Sequence, residues 1–220
     1  MPSRALKKDR FIGFIEKLLF KVTSHKEKFF VLIVLFFILL GVYVFSKKIH
    51  TENRQYSFLQ LSQARSDLQS GKNIEQSISA LKDLVKVSPK SLEGREALFL
   101  LINHNFKQKA FKENISLIDL SIKNYSSFPT FTEQLLLMKG SCLENLQDFQ
   151  AAVKNYEYLI DTYKGNHLFQ EARFSLARCY HKLGQVSKAR AIYTSISVEQ
   201  PEGDISNLAS RMLHLLDSPA

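Results

Sequence analysis

The sequence predicts an all-helical protein: one apolar helix near the amino terminus, then a stack of helical hairpins. Three observations carry this. Residues 29–45, FFVLIVLFFILLGVYVF, run for seventeen positions without a charge. Behind them Ser77, Asn114, Ala152 and Ala189 occupy equivalent places at spacings of 37, 38 and 37, the mark of a helical array. Only 8 Gly and 5 Pro punctuate 220 residues, and no period-two strand pattern of any length appears.

The elements divide as a basic tail at 1–28, a transmembrane anchor at 29–46, a linker at 47–56 and a repeat domain at 57–220. Within the tail, FIGFIEKLLF at 11–20 places Phe11, Phe14, Ile15, Leu18 and Leu19 on one helical face, with Lys17 and Lys21 elsewhere. That pattern suits an amphipathic helix lying on a membrane surface. A disordered basic tail and a helix packed on a partner are the other readings.

A helix rises about 1.5 Å per residue and a bilayer core is about 30 Å thick, so seventeen residues fall slightly short. Ser46 extends the uncharged run, and Lys26, Lys28, Lys47 and Lys48 have stems long enough to reach the headgroups. A buried core helix would ordinarily interrupt such a run with polar positions. A cleaved signal peptide would need a short positive region and a small-x-small site, whereas here 28 residues precede the run and FSKKIH follows its end. No cysteine stands there for lipid attachment. An uncleaved anchor fits best. Residues 1–28 hold eight Lys or Arg and residues 46–60 hold three, which puts the amino terminus in the cytoplasm and the repeat domain across the membrane.

The formal charge of +9 resolves into +7 for residues 1–50 and +2 for the rest. Basic charge concentrated beside an anchor is explained by orientation and anionic lipid, and nucleic acid is not an expected partner.

The repeat domain reads as hairpins at about 57–90, 92–127, 131–167 and 169–201, with a cap at 203–217. The fourth is clearest. Leu176, Ala177 and Tyr180 on its first helix, Gly184 at the turn, Ala189, Tyr193 and Ile196 on the second and Pro201 at the close resemble the tetratricopeptide repeat. Small Ala177 and Ala189 allow close approach, the tyrosines fill the space between hairpins, and Gly184 permits the turn. The third hairpin repeats the scheme, with Gly140 for Ala177, Leu143 for Tyr180, Ala152 for Ala189 and Tyr156 for Tyr193. The first and second are degenerate. Leu61, Ala64, Leu68, Ser77, Leu81, Leu84 and Pro89 fit one; Leu101, Phe106, Phe111, Asn114 and Ile118 fit the other. In the cap, Leu208, Met212, Leu215 and Leu216 share a face. The resemblance implies a right-handed α-solenoid, and the long connection DTYKGNHLFQEA is like that of envelope proteins resembling YbgF and BamD.

Chemistry-bearing motifs are absent from the sequence. His104, His167, His181 and His214 form no HxxxH pair, so no metal site is expected, and no GxSxG, phosphate loop or dinucleotide turn occurs. No cofactor and no enzymatic activity are expected. Cys142 and Cys179 are 37 residues apart at equivalent repeat positions. Adjacent first helices pack about 8–10 Å apart, beyond the roughly 7 Å Cα limit of a disulfide, so packing thiols are expected rather than a bridge.

Such an array binds through the first helices of its hairpins. In the fourth these present Phe174, Arg178, His181 and Lys182, and in the third Leu137, Ser141, Glu144 and Asn145. Arg178 and Lys182 suit a partner's carboxylate, and Phe174 and Leu137 supply apolar contact. The plainer reading makes them solvated or cap-covered positions. A cytoplasmic tail, one anchor and an external tetratricopeptide domain together resemble YfgM-type proteins of Gram-negative inner membranes. That resemblance implies a periplasmic adaptor between the Sec translocon and periplasmic chaperones. The longer, strongly basic tail and the balanced or slightly basic repeat domain depart from that family. A structural subunit of a division, outer-membrane biogenesis or secretion assembly is the alternative.

Overall fold

The computed structural model describes residues 26–165, 168–199 and 203–217, together with Gly13. Every regular element among them is helical. α1 spans Lys26–Ser70, α2 Ile74–Val87, α3 Leu92–Lys107, α4 Phe111–Ile122, α5 Pro129–Asn145, α6 Phe149–Thr162, α7 Phe169–Lys182, α8 Val186–Glu199 and α9 Asp204–Asp217, with a 3-10 turn at Lys123–Tyr125. The amphipathic helix expected at 11–20, His167 and the closing Pro201 lie outside the described residues.

The chain divides into two units, residues up to Leu59 and residues from Gln60 onward. The first holds the apolar run. Phe30, Val31, Leu35, Phe36 and Phe37 are exposed there, and from Val34 onward the helix is long and apolar enough to cross a membrane, with none of its apolar window buried.

In the second unit the repeat register recurs in the backbone. Gly71, Lys109, Gln147 and Gly184 each follow the first helix of a hairpin, and each has a left-handed φ of 71°, 58°, 60° and 73° in turn. The next amide bonds back five residues in every case: Lys72 to Asp67, Ala110 to Asn105, Asp148 to Leu143 and Gln185 to Tyr180. This is the helix-terminating arrangement that glycine favours, held twice by a residue with a side chain. Beyond the turn, Asp148 accepts the Ala151 amide at its side chain and starts α6.

The same register orders the core. Ser77, Asn114, Ala152 and Ala189 are all buried, as are Leu81, Ile118, Tyr156 and Tyr193 one turn later. Facing them on the first helices stand Ala64, Ile102, Gly140 and Ala177, also buried. Volume is exchanged across this pair: Ile102 meets Ile118, while Gly140 meets Tyr156 so closely that a Cβ on Gly140 would lie 2.3 Å from the ring. Asn114, larger than the usual alanine, compensates by donating its side-chain amide to the Ile102 carbonyl at 2.8 Å.

The cap's inward face differs from expectation. Ala209 is buried, and Ile205, Met212, Leu213 and Leu216 pack beside it, whereas Leu208 and Leu215 are exposed. The run carries two overlapping apolar stripes, and the small Ala209 lets α9 settle closely on the one that contains it.

Candidate partner-binding groove

First helices place their outward side chains two turns apart on one face. Phe106 of α3, Ser141, Glu144 and Asn145 of α5, Arg178 and Lys182 of α7, and Gln147 and Phe149 line one depression of about 690 Å³. Five of the eight residues expected from sequence meet here. Leu137 and Phe174 instead pack against the core, the Phe174 ring lying 5.4 Å from that of Tyr193. His181 is half-buried at the end of α7, where its carbonyl accepts the Leu183 and Gly184 amides.

A second depression, about 430 Å³, is lined by Arg65, Leu92, Arg95, Glu96, Phe99, Phe131 and Gln134. Phe99 and Phe106, like Gln134 and Ser141, are seven residues apart on one helix, so the two depressions follow one another at about 10 Å along the same helix faces. Sequence reasoning missed the contribution of the second repeat. Its signal was available: Phe99 and Phe106 stand 38 residues before Leu137 and Glu144.

Arg178 is engaged within the protein rather than offered freely to a partner. Its Nε and Nη2 donate to Glu144 at 2.7 and 2.8 Å, and the Tyr156 hydroxyl donates to the same carboxylate at 2.7 Å. The Glu144 side chain is 11% exposed and that of Arg178 40%. Hydrogen bonding to Glu144 raises the Arg178 pKa, and burial reinforced by Glu144 raises that of Tyr156. The three groups tie α5, α6 and α7 together, a geometric lock whose net contribution is reduced by its own desolvation. Lys182 is exposed and carries the depression's remaining positive charge.

Upstream, Arg65 pairs with Glu96 at 2.9 Å and Arg95 lies 4.3 Å from the centre of the Phe128 ring. Cys142 and Cys179 are buried free thiols. Burial raises both pKa values, that of Cys179 to about 12, so neither is activated as a nucleophile. Among the described residues, no group of three His, Cys, Asp or Glu is placed to hold a metal ion.

Two tetratricopeptide repeat profiles match the chain, at residues 61–127 and 146–212. No curated protein matches it. Among solved structures it is similar to a tetratricopeptide repeat protein from Parabacteroides merdae, at 16% identity and TM-score 0.58, over 74% of this chain and 60% of that one. A putative kinesin light chain repeat protein from Podosopora anserina aligns at 16% identity and TM-score 0.55, over 71% of this chain and 82% of that one. BtubC from P. vanneervenii gives 14% and 0.53, over 73% and 65%. Identities this low speak for the fold alone. The chain spans three fifths of the Parabacteroides protein. The paired turns, the buried ladder and the two profile matches agree, and the chain belongs to the tetratricopeptide repeat family.

Proposed function

We propose that the protein is a membrane-anchored adaptor that binds other proteins through the face shared by its first helices. The observation that carries this reading is the pair of successive depressions on α3 and α5, one aromatic and one polar with an exposed cation at Lys182. Tetratricopeptide arrays are interaction scaffolds, and a segment with an apolar anchor followed by an acidic residue matches this order of chemistry. The apolar run supports retention at a membrane, and the excess of basic residues before it supports an amino terminus in the cytoplasm. In a Gram-negative cell that orientation puts the repeats in the periplasm. The likeness to YfgM-type proteins then suggests Sec translocon subunits or periplasmic chaperones as partners, with lipid contacts at the anchor and basic tail.

A photoreactive residue at Asn145, in native membranes, tests this against a control at exposed Lys112 on α4. Translocon subunits or periplasmic chaperones captured at Asn145 alone are the expected outcome. Cytosolic proteins there would overturn the orientation. A single partner at constant ratio would replace the adaptor with a structural subunit.

A further inference from the structure

Consecutive repeats supply equivalent surfaces, so one can serve as the control for another. Second helices α6 and α8 with first helix α7 form one such surface; α4 and α6 with α5 form its equivalent one repeat earlier. In the later one, polar side chains span the gap. Arg173 donates to Glu199, Ser195 and Gln170, Tyr180 donates to Glu157, and the Lys188 ammonium lies 4.9 Å from the Tyr180 ring centre.

At the earlier surface these positions change character. Leu136 stands for Arg173, Leu143 for Tyr180, Ala151 for Lys188 and Tyr158 for Ser195. None can reproduce the ties. A crevice of about 590 Å³ remains, lined by Ile115, Ile122, Leu136, Leu143, Ala151 and Tyr158. Its polar atoms are largely engaged: Asn155 donates its side-chain amide to the Leu136 carbonyl at 2.8 Å, and the Thr132 hydroxyl donates to the Tyr125 carbonyl at 2.9 Å. Of its two cations, Lys139 is held by Asp119 at 2.6 Å. Lys154 is exposed, and among the described residues no carboxylate pairs with it. An apolar trough with one uncompensated cation is what remains for a ligand.

The lining fixes the occupant's shape. Ala151, Lys154, Asn155 and Tyr158 follow i, i+3, i+4, i+7 spacing along α6, and Thr132 to Leu143 run eleven residues along α5, about 10 and 16 Å. We propose that this crevice, distinct from the first-helix groove, docks a short acidic amphipathic helix of a partner protein. The partner's apolar stripe would lie on Ile115, Ile122 and Tyr158, above the buried Leu136 that floors the crevice, with a carboxylate at Lys154. Two to three turns of helix match the trough's length, and helix-in-groove docking needs such periodic apolar anchors. The sign of the charge follows from Lys154 alone, because Lys139 is neutralised by Asp119.

The test uses the full chain in nonionic detergent and a fluorescein-labelled helical peptide of about fourteen residues with leucines at i, i+4, i+7 and glutamates at its flanks, read by anisotropy. Expected is binding of this peptide, with the lysine-flanked version about tenfold weaker. Lys154→Glu should weaken the glutamate peptide about fivefold, as reversal of one exposed ion pair allows. Ala151→Gln, which fills the crevice without changing charge, should weaken both peptides. Lys182→Glu, in the first-helix groove, should leave the fivefold effect of Lys154→Glu intact.

Binding lost on Lys182→Glu but not on Lys154→Glu would move the peptide to the other groove and end this proposal while leaving the adaptor reading intact. Binding indifferent to both reversals would assign it to the basic tail and equally overturn it. No binding of the glutamate peptide, with uptake of a dansylated fatty acid sensitive to Ala151→Gln, would replace the helix with lipid. Self-association lost on Lys154→Glu would replace it with a second copy of this chain.

Discussion

The first two repeats and the last two share one backbone plan and hold it with different chemistry. In the carboxy-terminal pair, a ring fills the hairpin and a small residue makes room for it: Tyr156 against Gly140, and Tyr193 beside Ala177. In the amino-terminal pair, aliphatic side chains do this work, Leu81 with Ala64 and Ile118 with Ile102. Polar ties follow the same division. Glu144, Arg178 and Tyr156, then Arg173 with Glu199, then Arg190 with Asp217 brace the later repeats, whereas Arg65 with Glu96 links first helices in the earlier ones. The lesson is that a repeat constrains the summed volume at a position pair and the turn that joins its helices, and leaves residue identity free.

The hardest way to break this comparison is to remove a ring. Tyr156→Ala should cost about 4 kcal/mol in urea unfolding of the full chain followed by circular dichroism. Gly140→Ala should cost about 2 kcal/mol by overpacking, and that cost should vanish in a Tyr156→Ile background, which recreates the aliphatic solution of the second repeat. A penalty for Gly140→Ala that persists there would sink the volume-exchange account.

Next in size is the lock between α5 and α7. Arg178→Met leaves the Glu144 carboxylate mostly buried with only the Tyr156 hydroxyl, and should cost about 2 kcal/mol, less than for a fully buried pair because the guanidinium is partly in water. The double variant Glu144→Gln with Arg178→Met should recover most of it, and a double-mutant cycle showing simple additivity would refute the coupling.

A smaller effect is set by pH. Hydrogen bonds from Arg173, Ser195 and Gln170 lower the Glu199 pKa to about 2. A carboxylate depressed in the folded state contributes stability above its unfolded value near 4.5 and loses it as pH falls toward 2. Because the side chain is 44% exposed, the contribution is screened to about 0.5–1 kcal/mol. Glu199→Gln should remove this part of the acid loss and leave the rest, and an unchanged acid profile would show that the tie is absent in solution.

The smallest expected effect is also the most specific to the shared plan. Lys109→Gly and Gln147→Gly should each stabilise by about 0.5 kcal/mol, since both positions hold the left-handed turn that Gly71 and Gly184 adopt freely. Destabilisation by both would mean that the turns do not share a conformation.

The helical class, the repeat register and the terminal apolar helix were all determined by the sequence, because 3.6-residue periodicity and small-residue spacing are local signals that survive without knowledge of partners. The groove was half legible. Ser141, Glu144, Asn145, Arg178 and Lys182 came together because register alone brings equivalent helix faces into line. Only the tertiary structure decided that Arg178 is bound by Glu144, that Phe174 leans on Tyr193 and that α9 settles on Ala209. It also showed that the same register puts polar ties across one outer surface and an apolar crevice on its neighbour, through Arg173 in one repeat and Leu136 in the other. Those outcomes depend on which side chain reaches which across a gap between helices, a distance that the spacing of residues along one helix does not contain.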